Sequence, residues 1–113
     1  MNFRVTPGHS GHNLARMEFE IVLAPEAVED LKRLKANFRS EVRAAIETDL
    51  RYEPRKTSRS RIKRLCKLNQ PQFRLRVGEI RASYDVSDKV VEVLAIVMKS
   101  EADSWLARFG RRE

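Results

Sequence analysis

Residues 73–85 read Phe73-Arg74-Leu75-Arg76-Val77-Gly78-Glu79-Ile80-Arg81-Ala82-Ser83-Tyr84-Asp85. Phe73, Leu75 and Val77 alternate with Arg74 and Arg76, the period of two of a half-buried strand. Gly78-Glu79 fits a two-residue hairpin turn with Gly first, the type II′ pattern. Ile80, Ala82, Tyr84 and Val86 resume the apolar face, and Arg81, Ser83 and Asp85 take the other. Such a loop pairs Val77 with Ile80, so Arg76 is expected opposite Arg81 and Arg74 opposite Ser83. Two arginines face to face repel each other. The pair therefore points to a surface that meets a polyanion. The alternative is a solvated sheet face whose arginines are spaced by neighbouring acids. If the face is only structural, removing one arginine is expected to leave stability equal or slightly better.

The neighbouring stretches supply the rest of the fold. After the turn Ser87-Asp88-Lys89, residues 90–98 (VVEVLAIVM) are almost continuously apolar. That pattern predicts a strand covered on both faces and placed centrally. A three-residue loop pairs Val86 with Val90, whereas a turn centred on Asp88-Lys89 pairs Val86 with Val91; both registers are open. Upstream, residues 62–68 (IKRLCKL) predict a strand with Cys66 packed in it, followed by a turn at Asn69-Gln70-Pro71-Gln72. Residues 18–23 (EFEIVL) predict a first strand, stopped by Ala24-Pro25. Pro25 suits a first helical turn, and Glu26, Glu29 and Asp30 suit the positive end of the helix dipole. Ala27, Val28, Leu31, Leu34 and Phe38 form one apolar stripe, and Val42, Ala45, Ile46 and Leu50 form a second. The pattern breaks at residues 37–40, where Ser40 can cap the second helix, and Pro54 ends it. Two tightly joined helices form an αα-hairpin that needs a sheet to cover. Ser100-Glu101-Ala102-Asp103 is a capping-box pattern opening a short helix with Ala102, Trp105, Leu106 and Phe109 on one side, closed by Gly110. The order β-α-α-β-β-β-β-α is an α+β fold. It predicts a small antiparallel β-sheet packed against an N-terminal αα-hairpin, with a short C-terminal helix.

Residues 1–16 are rich in Gly, His, Asn and Ser without periodicity and read as a disordered tail. His9 and His12 form an H-x-x-H pair with no further ligands near in sequence, so no metal or other cofactor is expected. One domain spans 17–110, and residues 111–113 are a basic end. No run of 18 apolar residues is present, so no membrane partner is expected. The N-terminus lacks the apolar region of a signal peptide. The single cysteine, Cys66, leaves no internal disulfide partner and fits a reducing cytoplasm.

The charge is concentrated. Residues 51–81 carry eleven Lys/Arg against two acids, a net of +9. Residues 1–50 (seven against eight) and 82–113 (five against six) each carry −1. A block of this kind is the footprint of a phosphate-binding surface or of a docking site for an acidic partner.

Three stretches carry a family resemblance: EFEIVLAPEAVEDLKRL at 18–34, KRLCKLNQPQFRLRVGEIRASYDV at 63–86, and KVVEVLAIVMKSEADSWL at 89–106. Their order and spacing resemble the RelE/ParE family of bacterial toxins from type II toxin–antitoxin pairs, from about Met17 to Gly110. Met17 is therefore a second candidate start. The resemblance implies a toxin neutralised by an antitoxin that wraps around it. The RelE branch cuts messenger RNA in the ribosomal A site, and the ParE branch poisons DNA gyrase. The ribonuclease reading needs no metal: the ribose 2′-OH attacks the scissile phosphate and expels the 5′-oxygen. The resemblance then implies that Arg74 and Arg76, standing where the RelE pattern has lysines, and Arg81 clamp the phosphate with their planar forks. Arginine stays protonated, so it does not replace a lysine base. The pattern also expects an arginine after the last strand and a tyrosine in the final helix. Lys99-Ser100 and Trp105-Leu106 stand there, which makes Lys99 the candidate for proton transfer. Arg55, Lys56, Arg59, Arg61, Lys63, Arg64 and Lys67 are expected to track the RNA backbone. Trp105 is expected to stack on a base or to pack in the core. The expected partners are a cognate antitoxin with the ribosome and mRNA. The alternatives are a non-enzymatic gyrase inhibitor, or a catalytically reduced homologue that acts as an antitoxin-binding corepressor.

Overall fold

The computed structural model describes residues 17–66 and 68–112; the expected tail at 1–16 and Lys67 lie outside the described residues. The elements are β1 (Glu20–Leu23), α1 (Pro25–Arg33), α2 (Ala36–Leu50), β2 (Ile62–Arg64), β3 (Leu68–Gln70), β4 (Phe73–Val77), β5 (Ile80–Ser87), β6 (Val90–Met98), α3 (Lys99–Phe109) and β7 (Arg111–Arg112). The main sheet has five strands in the order β1-β6-β5-β4-β2. None of the described helices is long and apolar enough to cross a membrane.

The opening hairpin has the expected register. Val77 pairs with Ile80, Arg76 with Arg81 and Arg74 with Ser83. Gly78 turns the chain at φ +59°, a left-handed conformation that glycine adopts without a Cβ penalty. Between β5 and β6 the structure selects the tighter register, Val86 opposite Val91, with Asp88 at φ +54° in the turn.

Several expectations are corrected. The sheet is mixed, because β1 runs parallel to β6. Short turns force antiparallel pairing within the β4-β5-β6 meander, whereas β1 joins it from a distant part of the chain. β6 lies inside the sheet between β1 and β5, but the middle strand is β5. β6 contains a bulge. The register shifts between Ser83 and Tyr84, leaving Leu94 without an opposite residue. The bulge keeps Val91 and Val93 on the core face before it and Ile96 on the same face after it. The helix break comes earlier than residues 37–40, at Leu34 and Lys35, so Phe38 and Ser40 lie inside α2. Neither Ser40 nor Ser100 caps a helix; the residues at the N-caps are Lys35 and Met98, without side-chain hydrogen bonds. The strand expected at 62–68 divides into β2 and β3, and Cys66 is exposed between them rather than packed. Arg111 and Arg112 continue the chain as β7, paired with β3.

Apolar side chains from α1 (Ala27, Leu31) and α2 (Val42, Ala45, Ile46, Leu50) pack on one face of the sheet with Leu75, Val77, Ile80, Ala82, Tyr84, Val91 and Val93. Two polar contacts fasten the end of α2 to the sheet. The buried Tyr84 hydroxyl donates to the Pro54 carbonyl at 2.7 Å. Arg51 donates to both Glu47 carboxylate oxygens and, through Nη1, to the Phe19 carbonyl at 2.8 Å. Arg51 therefore serves the interior, although its charge counts in the basic block. The Asp30 carboxylate accepts the Ile96 N–H at 2.9 Å just beyond the bulge.

Candidate phosphate-binding site

With the apolar positions of β4 and β5 turned to the helices, the alternate positions form the outer face. Arg74 and Arg76 come from β4 and Arg81 from β5. On β2, Ile62 faces the core, so Lys63 is turned outward, directly opposite Arg74. The loop before β2 closes this face from one side. Ser58, Arg59, Ser60, Arg61, Ile62, Lys63, Arg74, Arg76 and Arg81 line a cavity of about 180 Å³. Five arginines and one lysine thus meet in a space large enough for a phosphodiester.

The loop is fixed rather than loosely draped. The Ser58 N–H donates to the Ile62 carbonyl at 2.9 Å, and Ser58 Oγ accepts the Arg61 N–H at 3.0 Å. The Arg61 carbonyl accepts the Arg76 N–H at 2.7 Å. The Arg61 guanidinium donates through Nη2 and Nε to Asp49 Oδ2 of α2 at 2.6 and 3.2 Å. Arg61 therefore serves the cavity as a wall held by Asp49 more than as a free cation.

Arg81 is only 8% exposed. Its Nη1 donates to the Gly78 carbonyl at 2.7 Å and to the Ile80 carbonyl at 3.0 Å, which straps the side chain over the hairpin turn. Burial, then the charges of Arg76 and Arg74, lower its pKa from the ordinary arginine value, while Glu79 acts in the opposite sense. An anion in the cavity relieves these opposing charges. The Arg74 side chain is 16% exposed, and its Nη1 is buried without a hydrogen-bond partner. Asp103 of α3 lies 3.7 Å from that nitrogen, close enough for attraction but too far for a hydrogen bond, and its side chain is 99% exposed. A buried guanidinium nitrogen without a partner is costly in a closed fold and useful where an acceptor arrives.

The structure brings together Arg59, Arg61, Lys63, Arg74, Arg76 and Arg81 from the expected set. Other members go elsewhere. Arg64 donates to the Leu65 and Gln72 carbonyls and lies over the Phe73 ring, 5.3 Å from its centroid. Arg55 lies over Phe19, and Lys56 pairs with Glu53 at 3.9 Å. Lys99 begins α3, with its backbone N–H on the Glu79 carbonyl, and its side chain does not line the cavity. Trp105 donates to Glu26 at 3.4 Å and packs on Phe109, so it joins neither the cavity nor the core cluster. Sequence reasoning missed Ser58 and Asp49. The Ser58 turn resembles many polar loops, and nothing in the sequence joins Asp49 to Arg61 twelve residues later.

Solved structures with a similar fold include toxin–antitoxin complexes. One is the RelBE2 complex from Mycobacterium tuberculosis, with 21% identity, coverage of 73% of this chain and 92% of that chain, and a TM-score of 0.58. The RelB–RelE complex from Methanococcus jannaschii gives 18% identity, 74% and 96% coverage, and a TM-score of 0.57. The RelE–RelB complex from Pyrococcus horikoshii OT3 gives 24% identity, 74% and 97% coverage, and a TM-score of 0.55. The α+β architecture is that of the RelE-like fold. No protein-family model matches the sequence, and no curated protein matches it.

Proposed function

We propose that this chain is the toxin of a type II toxin–antitoxin pair, acting in the cytoplasm as a ribosome-dependent, metal-independent mRNA endonuclease. The observation that carries this reading is the outer-face cavity where Arg74, Arg76 and Arg81 converge, with a buried Arg74 nitrogen that has no hydrogen-bond partner among the described residues. A phosphodiester supplies the acceptor that this nitrogen lacks, and bidentate guanidinium contacts suit its paired oxygens. In the reaction the ribose 2′-oxygen bonds to the adjacent phosphorus and the bond to the 5′-oxygen breaks. The products are a 2′,3′-cyclic phosphate and a 5′-hydroxyl. Charge accumulating on the phosphoryl oxygens is met by fixed cations, which is the main contribution this cavity makes to the rate. The nucleophile belongs to the RNA, so no metal-bound water is required.

The partner is an antitoxin of acidic character, in keeping with the RelE–RelB assemblies that share the fold. Covering the cavity, it would neutralise the charge that otherwise attracts RNA. The second reading, a gyrase-binding toxin, is favoured by Trp105. It stands where the ribonuclease pattern has a tyrosine and is turned to Glu26, and among the described residues no aromatic side chain lines the cavity. Induced expression followed by mapping of mRNA 5′ ends and an assay of DNA supercoiling separates the two. Fragments with 5′-hydroxyl ends and normal supercoiling are expected, with both toxicity and fragments lost in Arg76→Ala. Loss of supercoiling with mRNA intact would establish the gyrase reading instead.

A further inference from the structure

We propose that Lys63 is the general base that takes the proton from the attacking 2′-hydroxyl. The inference rests on the ribonuclease reading above. Beside Lys63, the described side chains lining the cavity are five arginines, two serines and an isoleucine. None of these accepts a proton near neutral pH, because guanidinium stays charged and a hydroxyl is too weak a base. A lysine amine does, once it is in its neutral form, and lysines serve as bases for this reason.

Its position suits the task. Lys63 is paired directly opposite Arg74 across the β2–β4 ladder, so their Cβ atoms stand roughly 5 Å apart. Both line the same cavity, and a four-carbon stem is long enough to bring the amine to a phosphate held at Arg74. No carboxylate among the described residues pairs with Lys63; Asp49 is held by Arg61, and Asp103 lies 3.7 Å from Arg74 Nη1. The amine is thus left to the substrate. Lys99, the candidate from sequence, lies on the first turn of α3 outside the cavity lining.

The step balances without further groups. The neutral Lys63 amine takes the 2′-hydroxyl proton as the 2′-oxygen bonds to phosphorus. The phosphorus–5′-oxygen bond breaks, and the departing oxygen takes a proton from water. The arginines hold charge throughout and transfer no proton. The lysine ammonium then returns its proton to solvent.

The test is single-turnover cleavage of mRNA on programmed ribosomes, with binding of a short RNA oligonucleotide measured in parallel. Lys63→Arg keeps the charge and removes the base. Cleavage is expected to fall by at least ~100-fold, the lower end for general-base catalysis, while oligonucleotide affinity changes less than about threefold. Lys63→Ala is expected to lose cleavage as well and to regain part of it on addition of ethylamine, in proportion to the unprotonated amine. A merely structural lysine gives no such proportionality. Cleavage by Lys63→Arg within about tenfold of wild type, or absence of amine rescue in Lys63→Ala, overturns the assignment. Loss of cleavage in Lys99→Arg with Lys63→Arg unaffected moves the base to Lys99. If the wild-type chain leaves ribosome-bound mRNA intact, the ribonuclease reading itself falls, whereas cleavage by wild type and Lys63→Arg alike removes Lys63 alone.

Discussion

Replacing Arg81 by alanine separates two opposing contributions that the sequence presents as one. On sequence grounds the change relieves a repulsion, because Arg76 stands directly opposite. A like-charge cross-strand pair costs roughly 0.2–1 kcal/mol, so the variant would be as stable as wild type or slightly more so. The structure reverses the sign. Arg81 Nη1 donates to the Gly78 and Ile80 carbonyls at 2.7 and 3.0 Å, and its stem is buried against the hairpin. Hydrogen bonds from charged donors contribute about 1.5–3 kcal/mol when buried, and less here because the turn carbonyls regain water in the variant. Taking about 2 kcal/mol for the lost bonds and about 0.5–1 kcal/mol of relief, Arg81→Ala is expected to destabilise by about 1–1.5 kcal/mol. For a domain of this size that lowers Tm by roughly 4–10 °C. Thermal unfolding followed by circular dichroism measures it, at low and at moderate salt. Added salt screens Arg74, Arg76 and Arg81 from one another, so wild type should gain more stability from salt than the variant does. An unchanged or higher Tm in Arg81→Ala would refute the strap over the turn and return Arg81 to a freely solvated role.

Other expectations follow from single contacts. Tyr84→Phe leaves the buried Pro54 carbonyl without its donor and is expected to cost about 1–2 kcal/mol in urea denaturation. Burial, with a smaller contribution from Asp49, raises the Tyr84 hydroxyl pKa above its ordinary value of 10.0. The neutral form is thus favoured in the fold, and the associated stability is complete below pH ~10 and lost as the pH rises above it. The alkaline loss should be shallower in Tyr84→Phe, and equal alkaline slopes would contradict this. Asp49→Asn frees Arg61 from its anchor; RNA affinity should fall several-fold with less than about 1 kcal/mol of stability lost, the range of a partly exposed pair. Asp103→Asn removes the carboxylate nearest the unpartnered Arg74 nitrogen, so RNA should bind about two- to threefold more tightly, as for a contribution of a few tenths of a kcal/mol from an exposed pair.

How much of this chain is legible in its sequence depends on the range of the interaction. The β4–β5 hairpin was fully determined locally: a period of two, a Gly at the turn, and therefore Arg76 opposite Arg81. The two helical stripes and the concentration of positive charge are equally local. Tertiary structure decided what requires two distant segments to meet. β1 chose a parallel partner, and a bulge in β6 keeps Val91, Val93 and Ile96 on one core face. Arg51 turned inward because the Phe19 carbonyl needed a donor there, and Arg64 settled over Phe73, so charges identical in sequence took structural tasks. Periodicity assigns a face to each residue but not the element that will cover it. Charge alone could not distinguish Lys63 from Lys99, nor join Asp49 to Arg61. The strand pairing that sets Lys63 against Arg74, and the Ser58 turn that closes the cavity, exist only once β2 is laid beside β4.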